Sequence, residues 1–197
     1  MNKELCDYLA GGTKLLEVPI TWGKGTMPMQ LTYYLAGTLP PAPFISSARA
    51  LVFRGDSVLV VKEANDHLYI LPGGRVEKGD SPMETLTREI LEETGWMVDG
   101  VKLLGLMHFR HLGDKPVGYR YPYPDFVWPV YVVEAVEFTP EALQPDDYVS
   151  ESGFRPVKEV RKLPLDEGEL MFLESALALR VEGDTGDSWI SWPGRPD

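Results

Sequence analysis

The stretch from Pro72 to Trp96 constrains this chain more than any other, because it marks both ends of a helix and the turn before it. Ser81 is a good N-cap, Pro82 suits the first helical position, and Glu84 completes a capping box three residues after the serine. At the far end Gly95 can take the left-handed conformation that closes a helix, with Trp96 beside it for the apolar contact such caps favour. The spacing predicts one helix over Pro82 to Thr94, about three to four turns long. Just before it, Leu68 to Leu71 reads as a short strand ended by Pro72-Gly73-Gly74.

On a wheel of about 100° per residue, Glu93 falls near +40° and Glu92 near −60° from Glu89, so three carboxylates share an arc of roughly 100°. Leu86, Ile90, Met83 and Leu91 fill the arc beside them, leaving the helix one stripe to bury and another to present. Like charges at i,i+4 cost about 0.2–0.5 kcal/mol when exposed, and more in a cleft. Arg88, four residues after Glu84 and four before Glu92, relieves part of this cost. A hard divalent cation would relieve it directly, since Mg²⁺ is commonly held by one or two carboxylates plus substrate phosphate oxygens. A solvated Glu/Arg face is the plain alternative; the Gly-Gly loop and Asp80 just ahead of the helix favour the chemical reading.

Around this segment the chain of 197 residues is organised simply. Residues 1–44 hold apolar runs at Lys14 to Trp22 and Gln30 to Leu35, then Leu39-Pro40-Pro41-Ala42-Pro43, which reads as a stiff linker. They are expected to form an N-terminal extension of strands or a dimer arm. Ala48 to Phe53 and Val58 to Lys62 flank Arg54-Gly55-Asp56-Ser57 as a hairpin. Val101 to Met107, Trp128 to Phe138 and Phe154 to Pro156 read as strands, and Val160 to Leu163 and Leu170 to Leu179 as helical. The main domain is set at 45–182, with 183–197 a Gly-, Asp- and Pro-rich flexible tail.

Thirty acidic against 19 basic residues give a net charge of −11, which argues against capture of nucleic acid or anionic membrane. No stretch approaches the roughly 18 uncharged apolar residues of a membrane span, and the N-terminus lacks a signal-like apolar region. A single cysteine, Cys6, offers neither disulfide nor metal cluster, which suits a cytoplasmic protein.

The run Gly73-Gly74 to Trp96 resembles the Nudix box: G, five residues, E, seven residues, R-E-U-x-E-E-x-G-U, with U a bulky apolar residue. Gly74, Arg88, Glu89, Ile90, Glu92, Glu93, Gly95 and Trp96 stand in register, and Asp80 replaces the first Glu. The resemblance implies an α/β fold, an α/β/α sandwich around a mixed sheet. It also implies divalent-metal-dependent (Mg²⁺ or Mn²⁺) hydrolysis of a diphosphate bond in a small molecule, a nucleoside diphosphate linked to another moiety. By position Glu89 and Glu93 would be the main metal ligands, with the Gly73 carbonyl another. Glu92 would be a further ligand or the base for the attacking water. Arg88 would orient the glutamates, and Gly74, Asp80 and Gly95 would serve the loop and helix structurally. Some members carry an extra catalytic glutamate in a loop before the last strand; Glu151 is the candidate here, with Glu141, Asp146 and Asp147 as rivals.

For substrate contacts, Tyr119 to Trp128 packs aromatics around Arg120, so Tyr119 or Trp128 could stack on a base while Arg110 or Arg120 pairs with phosphate. His108 and His111 receive no role. The sequence markers of ADP-ribose and dinucleoside polyphosphate hydrolases are not evident, so the substrate stays open. Other readings are a non-catalytic nucleotide-binding or regulatory module of the same fold, and an isopentenyl-diphosphate isomerase, which needs a core cysteine that Cys6 does not supply. RNA decapping would want a basic groove. The N-terminal extension would complete a homodimer.

Overall fold

The computed structural model describes residues 2–23, 25–144 and 149–183, with backbone only for 181–183. Eight strands form one mixed sheet in the order β1-β2-β6-β7-β3-β4-β5, with β8 also on β4. In chain order these are β1 Thr13–Trp22, β2 Met27–Leu35, β3 Arg49–Arg54, β4 Ser57–Glu63, β5 Leu68–Tyr69, β6 Trp96–His111, β7 Asp125–Phe138 and β8 Val149–Pro156. The helices are α1 Lys3–Ala10, α2 Pro82–Thr94, α3 Val157–Val160 and α4 Glu167–Gly183. The β3–β7 pair is parallel and the other pairs are antiparallel.

Side-chain alternation along the central strands divides the core into two layers. From β3 and β7, Ala50, Val52, Tyr131 and Val133 point to one face, where they meet Leu86 and Ile90 of α2. Leu51, Phe53, Val130 and Val132 point to the other, where they meet Phe172, Leu173 and Ala176 of α4. This is the expected α/β/α sandwich.

Helix α2 has the predicted bounds. Ser81 accepts from the Glu84 amide, Glu84 accepts from the Ser81 amide at 2.8 Å, and Gly95 closes the helix at φ 72°. Other elements differ from expectation in extent. β6 and β7 run well past Val101 to Met107 and Trp128 to Phe138, because their long antiparallel ladder tolerates three irregularities in β6. The helical turn expected at Val160 to Leu163 lies earlier, at Val157–Val160, since Pro156 suits the position just before a helix. The proline linker includes a 3-10 turn, Ala42–Phe44.

The N-terminal extension is continuous with the sheet. β1 pairs with β2, and β2 pairs with β6 from Met29 opposite His111 to Leu35 opposite Gly105. Helix α1, absent from the sequence expectations, starts at Asn2, whose side chain caps the Glu4 amide at 2.8 Å. Its Leu5 and Leu9 pack on Leu106 and Val127. The expected flexible tail lies outside the described residues, apart from Gly183 at the end of α4.

Candidate functional site

The loop 72–76 is stitched to the segment entering β3, and this fixes the chemistry-bearing carbonyls. The Gly74 carbonyl accepts from Ser47 Oγ (2.5 Å) and the Ala48 amide (2.9 Å), while the Ala50 amide donates to Pro72 O at 3.0 Å. Arg49 Nη1 donates to the Gly73 carbonyl. Gly73 has φ 132°, a backbone conformation that other residues rarely adopt, and a Cβ there would strike the Ala48 carbonyl. A Cβ on Gly74 would fall on the carboxylate of Glu89. The two glycines therefore let the backbone of the loop lie directly against an acid of α2.

On α2 the acids are not evenly disposed. Arg88 Nη1 lies 2.8 Å from Glu89 Oε1 and 3.1 Å from Glu92 Oε2, and Arg88 Nη2 lies 3.9 Å from Asp80. Arg88 thus gathers three acids, including the shortened Asp80, which is exposed and reaches it only at long range. Partial burial works against the Arg88 charge, but Glu89 and Glu92 outweigh it and hold its pKa above the ordinary value. Glu92 is engaged on its other oxygen too, by Gln144 Nε2 at 3.0 Å.

Glu93, Gly73 and Gly74 open onto a cavity of about 560 Å³ on the α4 side of the sheet. Its walls include Trp22, Tyr33, Tyr69, Phe109 and Trp128, with Asp166 just before α4 and Glu169 within it also lining it. Arg49 is the lone Lys or Arg among the described lining residues. Its guanidinium lies 4.9 Å from the Trp128 ring centre, and Trp128 Nε1 donates to Ser46 Oγ at 3.0 Å. Desolvation lowers the Arg49 pKa, with Glu93, Tyr69 and Glu89 opposing; an arginine so placed stays charged.

Of the expected substrate residues, Trp128 lines this cavity. Arg110 lies on β6 with the alternation of His108, opposite to Met107 and Phe109, which do line it. Arg120 is exposed, and Tyr119 packs edge-on against His111 with ring centres 4.6 Å apart. His108 Nε2 is bound to Asp125 Oδ1 at 2.9 Å in the interior, a structural pair. Glu151 stands within β8, opposite Lys62, and not in a loop. It shares a second cavity with Glu93, Arg54, Trp96 and Gln144. Glu141 is exposed in the 3-10 turn Pro140–Ala142, and Asp146 and Asp147 lie outside the described residues.

The sequence reading passed over Arg49, Tyr33, Tyr69, Asp166 and Glu169. Two of these carried a signal. Arg49 interrupts an apolar strand, and Glu169 shares the buried stripe of α4 with Phe172, Leu173 and Ala176 at helical spacing.

The NUDIX domain family model matches residues 43–175. The chain belongs to the Nudix family. Among curated relatives, a candidate ADP-ribose pyrophosphatase of Bacillus subtilis, YjhB, is 37% identical over 76 residues, 39% of this chain and 36% of the relative. A candidate DHNTP pyrophosphohydrolase of Lactococcus lactis is 39% identical over 84 residues, 43% of this chain and 48% of the relative. The matched stretches thus span less than half the length of either relative. Among solved structures, a mutant of the Bacillus subtilis pyrophosphohydrolase BsRppH superposes with a TM-score of 0.55 at 18% identity, over 84% of this chain and 98% of that one. This Nudix chain shares the fold of that structure. The family match begins at residue 43, so Ile20, Thr21, Trp22, Leu31 and Tyr33 of the cavity wall come from outside it.

The donor chemistry suits a hard divalent cation: two carboxylates, Glu89 and Glu93, and one backbone carbonyl, Gly73, all offer oxygen. The Glu89 carboxylate occupies the place a Gly74 Cβ would take, which keeps that acid against the loop and supports this fit. Among the described residues, no three acidic, histidine or cysteine side chains already converge on one point, and Glu89 is turned onto Arg88.

Proposed function

We propose that this Nudix protein hydrolyses a diphosphate bond in a nucleoside diphosphate linked to another group, using Mg²⁺ or Mn²⁺. The observation that carries the reading is the Glu89 carboxylate laid against Gly74, which itself lines a cavity with Glu93 and the half-buried Arg49. A divalent ion bound there would neutralise charge on the phosphoryl oxygens and make water a better nucleophile.

The chain's own residues supply the rest. Glu89, Glu93 and the Gly73 carbonyl would hold the ion, with Glu92 as a further ligand or the acceptor of the water proton. Arg88 holds Glu89 and Glu92 in ion pairs and would orient them for the ion. Arg49, the lone Lys or Arg among the described residues lining the cavity, would pair its fixed positive charge with the diphosphate. Glu151, across the second cavity from Glu93, is the reserve proton acceptor. The N-terminal strands are proposed to serve the site by walling the cavity, and any homodimer would form on the free edge of β1.

Testing requires a panel of nucleotide sugars, ADP-ribose, NADH, dinucleoside polyphosphates and nucleoside triphosphates, each with Mg²⁺, Mn²⁺ and EDTA. On the best substrate, Glu89→Gln or Glu93→Gln should cost on the order of 100-fold or more in kcat, since even outer partners of metal ligands cost 10–100-fold. Full turnover by these variants, or turnover in EDTA, would defeat the reading.

A further inference from the structure

The main cavity carries a charge pattern that the proposed chemistry does not use. Four carboxyl side chains line it, Glu63, Glu93, Asp166 and Glu169, against one guanidinium, Arg49. Glu93 is assigned to the ion and Arg49 to the diphosphate. Glu169 is 5% exposed, and burial pushes its pKa up to about 8, so it adds little charge at neutral pH. Glu63 and Asp166 supply the accessible negative charge. Glu63 is half-buried at the end of β4 and accepts from Asn65 Nδ2 at 3.0 Å; Asp166 is exposed just before α4. Burial, and after it the charge of Asp166, raises the pKa of the Tyr33 hydroxyl, so that carboxyl stands near the Tyr33 wall. The same cavity has aromatic faces. Trp22, Tyr69 and Trp128 are half-buried and line it, with Trp22 and Trp128 5.6 Å apart by ring centres. One of these rings already takes a cation, since the Arg49 guanidinium lies 4.9 Å from the Trp128 centre. Aromatic faces together with carboxylates favour organic cations, because the ring quadrupole and the fixed charges attract the same sign. A volume near 560 Å³ is within the usual range for small-molecule sites.

We propose that the group joined to the nucleoside diphosphate is an organic cation, a quaternary ammonium or an N-alkylated heteroaromatic ring, seated in this cavity by its aromatic faces and by the charges of Glu63 and Asp166. The inference rests on the diphosphate-hydrolase reading above and names the class of the moiety that the reading leaves open. With Arg49 paired to the diphosphate and Glu93 to the ion, the charge left on the lining is negative. An anionic group would be repelled by it, and a neutral sugar would gain nothing from it. The N-terminal extension is part of the seat. Trp22 stands on β1 and Tyr33 on β2, both outside the family match, so this selectivity would come from the extension as well as from the matched domain.

The test titrates the full chain in EDTA, so that metal and turnover play no part, and follows the indole N–H signals by nuclear magnetic resonance. The probes are two pairs that differ mainly in charge: N-methylnicotinamide against nicotinamide, and choline against 3,3-dimethylbutanol. In at least one pair the cation should bind about tenfold tighter than its neutral partner, and which pair does so tells a heteroaromatic cation from a quaternary ammonium. The double variant Glu63→Gln, Asp166→Asn should cut that preference below about threefold with the fold retained, because asparagine caps a helix as well as aspartate and glutamine still accepts from Asn65. Trp22→Leu should weaken the cation about threefold or more. The inference is overturned if neither pair shows a preference, if the double variant keeps it, or if a folded Trp22→Leu binds like wild type. It is also overturned if no cation binds below about 50 mM while metal-dependent hydrolysis stands. Cation binding with the expected losses, but no hydrolysis of any diphosphate, supports the subsite and counts against the hydrolase reading alone. If Trp22→Leu does not fold, the neutral probes and the double variant decide.

Discussion

Replacing Glu169 by Gln should make the protein more stable, by an amount that depends on pH in a calculable way. Glu169 ionises near 4.5 in the unfolded chain and near 8 in the folded one. Between those values the folded state keeps a proton that the unfolded state has released. Stability contributed by this side chain is therefore complete below pH 4.5 and is lost as pH rises towards 8. At about 1.4 kcal/mol per pH unit, the loss by pH 7 is about 3 kcal/mol, an upper figure because water penetration and relaxation soften buried sites. Glutamine has no proton to lose and can still accept from the Ile70 amide, so it removes the penalty while keeping shape and hydrogen bond. Urea unfolding of both proteins at pH 5, 6, 7 and 8 measures this directly. The difference in stability should be small at pH 5 and grow to about 2–3 kcal/mol in favour of the variant by pH 8. Other titrating groups cancel in the difference. A constant difference across that range would show that Glu169 ionises normally in the fold, and the reasoning would fail.

Other expectations follow from single contacts. Ser81→Ala removes half of the α2 capping box and should cost about 1 kcal/mol, read as a lowered Tm. Gly74→Ala places a Cβ on the Glu89 carboxylate, so Mn²⁺ affinity should fall at least about tenfold with the fold retained by circular dichroism. Arg49→Lys should not restore the activity lost in Arg49→Met, because a lysine cannot both donate to the Gly73 carbonyl and lie flat on Trp128.

Sequence told more about the catalytic side of this molecule than about its substrate side, and the physics explains why. The bounds of α2 are local: a capping box, a proline and a glycine set them within about fourteen residues. The acids on one arc, the arginine among them and the glycine loop were legible for the same reason. The cavity is assembled from β1 to β7, α2, α4 and the loop after β5, so its lining is dispersed along the chain and spacing does not reveal it. Arg110 and Arg120 looked suitable because they sit among aromatics in sequence, yet strand alternation and exposure place them away from the cavity. Arg49 was obscured by its apolar neighbours, and Glu169 fell one residue outside the run Leu170 to Leu179 read as helical. The N-terminal arm was read as strands, but its place on β6, and so its role as a wall, depended on long-range pairing.

The most direct trial of the central claim is a Mn²⁺ titration followed by electron paramagnetic resonance, in which free ion gives the signal and bound ion does not. Wild type should take up Mn²⁺ at submillimolar concentration, and Glu89→Gln, Glu93→Gln and Gly74→Ala should each weaken that uptake about tenfold or more. Equal uptake by all four proteins, or none by wild type, would mean that the acids of α2 do not bind the ion and that the proposed hydrolysis has no seat there.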